Sequence, residues 1–557
     1  MIKENFIKLF ESSFKENWDS MAMTDYVTKR DYTYKQVAEE VAKLHLLYKE
    51  LNITKDDKIA IVGRNTPMWA ISFISVVTYG AVVVPILQDF HPNDIQHIVN
   101  DSDAALLFLS DNLWENIEEG KVSKLRAILS ITEFRCLYQS SGESIESKVK
   151  HLDDLFAKKY PNGFGKEDVK YVEKDNSEVV EINYTSGSTG FSKGVMLTGN
   201  NLAGNIVFGM NYTDITGATG KKKIVTFLPL AHAYGCAFDF LAQITTGSHI
   251  TFLNRVPSPK ILLKAFEEVK PDVIFTVPLV VEKVYKNQIL PTLSKTSMKL
   301  ALEIPILNQK IYSEIRKQLY NAFGGKFSEM VVGGASFNKE VEDFLVKIKF
   351  PFTVGYGMTE CAPLISYASH ETFVPGSAGR ILPNMEVRID SEDPANIAGE
   401  MQVRGDHVMV GYYKNQDATD AVFTSDGWLR TGDMGTVDKD GNIFIKGRCK
   451  NMILGASGQN VYPEIIEAKL VNMPFISECI VTSKDDKLVA LVYPDFTAMD
   501  ESHVSREELD VVMEETRKNL NKTLASYESI TKIIIFPTEF EKTPKKNIKR
   551  YLYEGVK

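Results

Sequence analysis

Runs of apolar, β-branched residues alternate with helix-like patterns along most of this chain. Lys58–Val62 has the pattern of a buried strand, Pro67–Tyr79 that of an apolar helix, and 81–86 and Ala104–Leu109 those of further strands. Short apolar runs separated by helical stretches are typical of stacked α/β layers. The alternation resumes in three later segments: 224–228, 273–277 and 330–335. The pattern therefore predicts an α/β fold.

From about residue 379 the pattern changes to short strands separated by turns. Candidate strands occur at 386–389, 399–403 and 440–445, and Asp-Gly turn dipeptides begin at Asp426 and Asp440. Short strands punctuated in this way are typical of antiparallel sheets. We therefore predict a small β-barrel-like part at about 379–447, within a large N-terminal domain that spans 1–447.

A new compact pattern follows Arg448. A helix that begins with Pro463 comes first. Two strands follow at 479–482 and 488–493, then a second helix within 506–524 and a last strand at 532–536. Proline at the first position of a helix is favourable because its missing N–H has no partner there in any case. We predict a small α+β C-terminal domain at 451–557, a length that folds on its own.

Composition narrows the class of protein. With 557 residues the chain is long enough for three or four folding units, and 44% hydrophobic with 25% charged residues is typical of globular proteins. The net charge of -9 argues against nucleic acid as a partner, because phosphate binding requires a basic surface. Five cysteines without metal-binding spacing indicate free thiols in a reducing compartment.

The N-terminus has no basic segment followed by a long apolar core, so we predict a cytoplasmic protein without a signal peptide. The most membrane-like stretch is 69–86. It contains Ser72, Ser75 and Thr78 and ends next to Pro85, and we interpret it as a buried helix that leads into a buried strand.

The segment Thr185-Ser-Gly-Ser-Thr-Gly-Phe-Ser-Lys-Gly194 carries the strongest chemical signal. Glycines let backbone N–H groups approach an anion, hydroxyl groups add donors, and Lys193 adds a positive charge, so the loop suits the phosphates of a nucleotide. The alternative is an ordinary Gly/Ser turn, which has no need of the lysine. A Walker A loop is excluded, because Ser192 stands at its second glycine position and Gly194 at its Ser/Thr position. No Gly-x-Gly-x-x-Gly motif opens a helix here, so a dinucleotide-binding fold has no support.

Further motifs follow in order: Gly355-Tyr-Gly-Met-Thr-Glu360, Gly399-Glu400, Thr431-Gly-Asp433, Gly447-Arg448-Cys-Lys450 and Ser457-Gly-Gln-Asn-Val-Tyr-Pro-Glu464. With the phosphate loop, this set resembles the adenylate-forming superfamily of acyl-CoA synthetases, luciferases and peptide-synthetase adenylation domains. The resemblance spans nearly the whole chain. The fatty acyl-CoA synthetase branch is the most similar, through Lys270-Pro-Asp-Val-Ile-Phe-Thr-Val-Pro278, Asp426-Gly-Trp-Leu-Arg-Thr-Gly-Asp433 and Ile548-Lys-Arg-Tyr-Leu552.

The resemblance implies a role for each matching residue. It assigns the ATP β- and γ-phosphates to Thr185, Ser186, Gly187, Ser188, Thr189, Gly190 and Lys193. Thr359 would contact the α-phosphate and Glu360 would hold Mg²⁺. It assigns adenine and ribose to Gly333, Gly334, Ala335, Tyr356, Gly357, Asp433 and Arg448. It assigns the acid substrate to His232, Tyr234 and Gly355, the hinge between the domains to Lys450 within 448–450, and coenzyme A to Gly458.

Taken alone, several of these residues have ordinary structural explanations. A Thr-Glu pair is often a solvated helix start, and an Asp in a Thr-Gly-Asp turn often only caps that turn. An isolated His on an apolar segment is more often a core residue with satisfied hydrogen bonds than a ligand. The functional interpretation rests on the complete series.

Two positions depart from the family pattern. Family members carry a lysine near the C-terminus that bridges the carboxylate and the α-phosphate, and Asn547 stands in its place. Asparagine supplies no positive charge. Either Lys545 or Lys546 supplies it, which adds these lysines to the predicted catalytic residues Thr185, Lys193 and Glu360, or the first half-reaction is weakened. The lysines of this segment would otherwise form a solvated basic tail. Ser192 replaces a proline of the phosphate loop, which should loosen that loop.

The sequence thus predicts an ATP- and Mg²⁺-dependent ligase that joins a fatty acid, of medium to long chain, to coenzyme A. One alternative uses a carrier-protein thiol, or an aryl or short acid. Another is an adenylate-binding protein whose catalysis has faded. We expect small-molecule partners and no nucleic acid. A lipid substrate permits peripheral membrane contact, although we find no strongly amphipathic basic helix, and the sequence does not indicate an oligomeric state.

Overall fold

The computed structural model describes residues 2–122, 124–185, 192–216, 221–454, 459–484, 487–543 and 547–554. In these residues the largest sheet has eight strands. Its centre is parallel and its two edges are antiparallel. In spatial order the strands are Gly411–Tyr412, Lys193–Thr198, Val179–Thr185, Val82–Ile86, Lys58–Val62, Ala104–Leu109, Ala127–Ser130 and Cys136–Gln139.

Two further sheets complete the layered part of the chain. One is mixed and has the order Lys223–Thr226, His249–Phe252, Met21–Asp25 and Asp31–Thr33. The other is parallel and has the order Ile274–Thr276, Met330–Val332 and Phe352–Val354. The α/β architecture predicted from the alternating pattern is therefore confirmed.

Helices cover these sheets. The helix Pro67–Tyr79 shows why its ends lie where the sequence predicts them: the Thr66 side chain accepts a hydrogen bond from the N–H of Trp69, and Gly80 ends the helix at φ +100°. The helices up to residue 422 are Phe6–Glu16, Tyr34–Glu50, Pro67–Tyr79, Pro92–Asp101, Asp111–Trp114, Ile145–Lys150, Leu152–Lys159, Gly199–Thr216, Ala242–Thr245, Pro259–Val269, Pro278–Val284, Leu290–Leu293, Thr296–Leu302, Pro305–Ala322, Lys339–Lys347 and Gln416–Val422. Two π-helical segments, Gly235–Leu241 and Tyr285–Ile289, interrupt this set.

The predicted β-barrel-like part forms antiparallel sheets. Its larger sheet has the order Met385–Asp390, Gly399–Gly405, Leu429–Val437 and Ile443–Arg448. A smaller sheet beside it consists of Tyr356–Gly357, Leu364–Tyr367 and Arg380–Ile381. Ile389, Met401 and Ile443 form a small apolar core of their own.

The C-terminal residues form a separate apolar cluster around Val461, Leu470, Ala490 and Leu520. Its strands are Ile453–Leu454, Asn460–Val461, Ile476–Lys484, Lys487–Pro494 and Lys532–Ile535. Its α-helices are Pro463–Leu470, Phe496–Glu501 and Leu509–Asn521. The separate core agrees with an independent small domain, while the boundary at 448–450 stays a prediction.

All five cysteines are unpaired. Among the described residues, no helix combines the length and the apolar character needed to cross a membrane. The stretch 69–86 is the buried helix and strand expected from its serines and threonine.

Candidate active site

The predicted site residues that the structure describes all line one cleft of about 1740 Å³. They come from distant parts of the sequence, from Thr185 to Lys450. The cleft-lining residues among the predictions are Thr185, Lys193, His232, Tyr234, Gly333, Gly334, Ala335, Gly355, Tyr356, Gly357, Thr359, Glu360, Asp433, Arg448 and Lys450. The remaining predicted residues lie outside the described part of the chain: Ser186, Gly187, Ser188, Thr189, Gly190, Gly458, Lys545 and Lys546.

The phosphate loop joins two antiparallel strands of the large sheet. Thr185 ends one strand and Lys193 begins the next, and the two residues are direct partners in the ladder. Both line the cleft. Thr185 and Lys193 therefore border the cleft at the two ends of this loop.

Tyr356, Asp433 and Arg448 are joined by a hydrogen bond and an ion pair at the wall of the cleft. The Tyr356 hydroxyl donates to Oδ2 of Asp433 at 2.6 Å, and Nε of Arg448 lies 2.8 Å from Oδ1. Adjacent antiparallel strands hold the last two residues, since Asp433 and Arg448 are paired in register. Burial raises the pKa of Asp433, and the Arg448 guanidinium counters that rise. Burial and Asp433 raise the pKa of Tyr356 well above its ordinary value, so this hydroxyl stays a donor.

Two glycines of the cleft occupy positions where a side chain would clash or would need a strained backbone conformation. A Cβ atom on Gly357 would lie 2.2 Å from the carbonyl oxygen of Pro363, so no larger residue fits. Gly334 has φ +83°, a conformation that residues with a side chain rarely adopt. The Gly333-Gly334-Ala335 turn follows the buried strand Met330–Val332, which fixes its place beside Tyr234. The turn therefore exposes backbone groups to the cleft, as a nucleobase edge requires.

Glu360 has a partner that the sequence motifs did not indicate. The Tyr412 hydroxyl donates to Oε1 of Glu360 at 2.9 Å, and Nζ of Lys193 lies 4.9 Å from the centre of the Tyr412 ring. Tyr412 reaches this position because Gly411–Tyr412 adds an edge strand to the sheet beside Lys193–Thr198. A single tyrosine thus touches both the predicted Mg²⁺ ligand and the predicted phosphate-binding lysine.

The inner part of the cleft is apolar and aromatic. His232 and Tyr234 lie at its wall, and the Tyr234 hydroxyl donates to the carbonyl of Val331 at 3.0 Å. The remaining wall was not predicted, because aromatic core positions look alike in sequence. Its apolar lining includes Phe208, Phe238, Phe275, Val331, Leu364 and Tyr367.

The C-terminal core contributes the last wall. Lys450 and Asn547 line the cleft together with Glu464, Lys549 and Arg550. Asn451 donates to Oε1 of Glu464 at 2.5 Å, next to the predicted hinge. The structure therefore brings the position of the missing lysine to the same cleft as the phosphate loop.

A buried polar pair lies behind the phosphate loop. Glu181, with 1% of its surface exposed, accepts a hydrogen bond from Nδ2 of Asn183 at 2.8 Å. Its Oε2 has no hydrogen-bond partner within the described part of the chain. The same Asn183 group also donates to the carbonyl of Ala231, next to His232. Burial raises the pKa of Glu181 to about 7 from 4.5.

The raised pKa predicts a pH-dependent effect of Glu181→Gln. The folded protein binds this proton more tightly than the unfolded chain, so the wild type loses stability as pH rises from 4.5 to about 7. Glutamine stays neutral and avoids that loss. From about pH 5 to about pH 8 we expect the variant to gain roughly 2–3 kcal/mol in free energy of unfolding relative to the wild type. Urea denaturation at both pH values measures it, with the exposed Glu173→Gln as control, and equal pH dependence of variant and wild type would contradict it.

The chain is similar to known enzymes in both sequence and fold. A family model described as "AMP-binding enzyme" matches residues 10–413. The long-chain-fatty-acid–CoA ligase FadD15 of Mycobacterium bovis is 27% identical over 570 residues, which covers 93% of this chain and 90% of FadD15. A long-chain-fatty-acid–CoA ligase of Salmonella typhimurium is 27% identical and covers 83% of this chain and 80% of its own.

Among solved structures, the anthranilate CoA ligase AuaEII in complex with anthranoyl-AMP superposes with a TM-score of 0.78. It is 18% identical, and the match covers 99% of this chain and 96% of AuaEII. At this identity the match shows a shared fold.

Proposed function

The chain belongs to the AMP-binding enzyme family and is an AMP-forming acid–CoA ligase, and we propose that its acid is a fatty acid of medium to long chain. The observation that carries this choice is the apolar inner wall of the cleft, where Phe208, Phe238 and Phe275 offer no charged partner to a polar substrate. The relatives named long-chain-fatty-acid–CoA ligases, which match 93% and 83% of the chain, support the same choice.

We assign the nucleoside of ATP to the Tyr356 wall. Oδ2 of Asp433 accepts a hydrogen bond from Tyr356, Oδ1 forms an ion pair with Arg448, and each oxygen keeps a lone pair. Those free lone pairs suit the two ribose hydroxyls. The ring of Tyr356 and the backbone of the Gly333-Gly334-Ala335 turn then take the adenine.

We assign the β- and γ-phosphates to Lys193, Thr185 and the loop between them, and the α-phosphate to Thr359. Glu360 fits Mg²⁺, which is usually held by one or two carboxylates together with substrate phosphates. Its fit is supported by the Tyr412 hydroxyl, which orients Oε1 and leaves further lone pairs free. When bound, Mg²⁺ would neutralise phosphate charge at this point.

In the first step a carboxylate oxygen attacks the α-phosphorus, the bond to pyrophosphate breaks, and an acyl-adenylate forms. Lys193 and the loop N–H groups relieve the repulsion between the two anions. In the second step the thiol of coenzyme A attacks the acyl carbon, its proton is lost, and AMP leaves. The small domain must present different groups in each step, so we propose that it rotates about Lys450 between residues 1–447 and 451–557 and that Gly458 borders the path of the thiol.

Substrate-dependent ATP–pyrophosphate exchange tests this function. We expect exchange to rise with the chain length of saturated fatty acids, by roughly fourfold in kcat/KM per buried methylene until the cleft is filled. Anthranilate and benzoate should be at least about 100-fold poorer, because their single ring leaves most of the apolar wall without a partner.

The other outcomes separate the alternatives. Preference for an aryl or short acid would reject the fatty acid and keep the ligase. Thioester formation on a carrier protein but not on free coenzyme A would change the acceptor. Absence of exchange with every acid tested would favour an adenylate-binding protein whose catalysis has faded, the alternative that Asn547 motivates.

A further inference from the structure

An exposed apolar turn stands apart from the cleft. Four aliphatic residues with large exposed fractions occur within eight positions: Leu300 at 60%, Ile304 at 49%, Ile306 at 74% and Leu307 at 43%. They lie at the end of the helix Thr296–Leu302, in the turn that follows, and at the start of Pro305–Ala322. We call these four residues the apolar tip. Single exposed aliphatic residues need no explanation, but a contiguous group of them marks an interaction site.

Lysines flank the apolar tip in sequence, and one exposed acidic residue, Glu303, lies within it. Lys295, Lys299 and Lys310 flank it, and none of them forms an ion pair within the described part of the chain. From 283 to 317 the sequence has seven Lys or Arg and two Asp or Glu, a local charge of +5 in a chain whose net charge is -9. This concentration of positive charge is what an anionic surface would attract at close range.

The segment that carries the tip begins at the cleft. Val277, at its start, lies 3.6 Å from where a Cβ atom on Gly334 would be. Further along, the Tyr285 hydroxyl donates at 3.0 Å to Glu340, which lines the cleft. The helices from Pro278 to Leu293 connect this stretch to the tip. The tip and the cleft are therefore joined by one continuous helical segment.

We propose that the apolar tip and its flanking lysines dock the enzyme on an anionic lipid surface. Exposed aliphatic side chains can enter the interface between headgroups and acyl chains, and the apolar stems of flanking lysines let each ammonium reach a headgroup. An apolar anchor and a cluster of lysines, each weak by itself, together give reversible peripheral binding to a membrane. The proposal goes beyond the ligase reaction, because binding requires neither ATP nor an acid.

A second copy of the chain fits the tip less well. Four side chains expose at most a few hundred Å², on the order of half of the roughly 800 Å² that a stable interface buries on each partner. The lysines of two copies that met here would also repel each other.

Sedimentation of the full-length protein with vesicles tests the proposal. We expect binding to vesicles of equal parts phosphatidylcholine and phosphatidylserine to exceed binding to pure phosphatidylcholine by at least about tenfold, and to fall with salt. Ile306→Asp, and separately Leu300→Asp, should lower binding to the mixed vesicles at least about tenfold. Val511→Asp is the matched control, since Val511 is 71% exposed on a helix of the other core.

We expect Ile306→Asp and Leu300→Asp to keep wild-type ligase activity toward a short, water-soluble fatty acid, because the tip lies outside the cleft lining. Absence of binding by the wild type, or an equal loss in Val511→Asp, would overturn the proposal. Concentration-dependent self-association that Ile306→Asp abolishes, without vesicle binding, would assign the tip to a second copy instead.

Discussion

Asp433→Asn is expected to lower kcat/KM for ATP by about 100-fold or more. The aspartate accepts from the Tyr356 hydroxyl through one oxygen and pairs with Arg448 through the other. Asparagine places an N–H₂ group against one of these donors and removes the charge that balances Arg448. Under the proposed ribose assignment, the variant weakens two charge-assisted hydrogen bonds together, each of which contributes about 1.5–3 kcal/mol. Initial rates at varied ATP measure the loss, which should fall mainly on KM.

Two variants make this result specific. Asp440→Asn changes an exposed carboxylate at a turn beside the same sheet and should leave kinetics unchanged. Tyr356→Phe keeps the ring and removes only the hydroxyl, so it should cost no more than about tenfold. If Asp433→Asn folds as the wild type does, by circular dichroism, and its KM for ATP changes by less than about threefold, Asp433 does not hold the ribose.

Replacing Lys545 and Lys546 together with alanine is expected to lower ATP–pyrophosphate exchange by about 100- to 1,000-fold. Asn547 supplies no charge, and Thr543 and Asn547, the residues that flank positions 544–546, both line the cleft. They are also joined to each other, since the N–H of Thr543 donates to the carbonyl of Asn547 at 2.7 Å. A cation is needed here because the attacking carboxylate and the α-phosphate repel each other.

The two half-reactions should respond differently. Thioester formation from a prepared acyl-adenylate and coenzyme A should change by less than about threefold, because the negative reactants have already been joined. Asn547→Lys, added to the double alanine variant, should restore exchange by returning the charge to the family position. Lys549→Ala is the control within the same segment. Exchange that survives the double substitution, or that is lost only with Lys549, would show that Lys545 and Lys546 are not the source of the charge.

Much of the fold is predictable from the sequence, because the responsible interactions are local. Lys58–Val62 and Pro67–Tyr79 have the bounds that the pattern predicts, since an apolar run, a Thr66 cap and Gly80 determine them within a few residues. Strand ends are less certain: 330–335 was predicted and Met330–Val332 is observed. The difference arises because Gly333 and Gly334 leave the ladder and turn into the cleft, which depends on what packs beside them.

The candidate site is predictable where a motif is continuous and unpredictable where partners meet across the fold. The loop at 185–193 and the Gly355–Glu360 motif could be recognised as short sequences. Tyr412 could not, because it touches Glu360 only through an edge strand that pairs with Lys193–Thr198. The pair Glu181 and Asn183 was also missed, since alternation in a strand does not reveal that both faces are buried.

By itself, the sequence determined the α/β class, the order of the elements, the family resemblance, and the absence of a lysine at position 547. These follow from local patterns and from residue identity at fixed spacings. Only the tertiary structure decided that residues from Thr185 to Asn547 share one cleft, that Phe208, Phe238 and Phe275 form its apolar wall, and that the tip around Ile306 remains uncovered. The physical reason is that burial and contact depend on the whole packing, and a hydrophobic residue in sequence looks the same whether it faces a core, a substrate or a lipid surface.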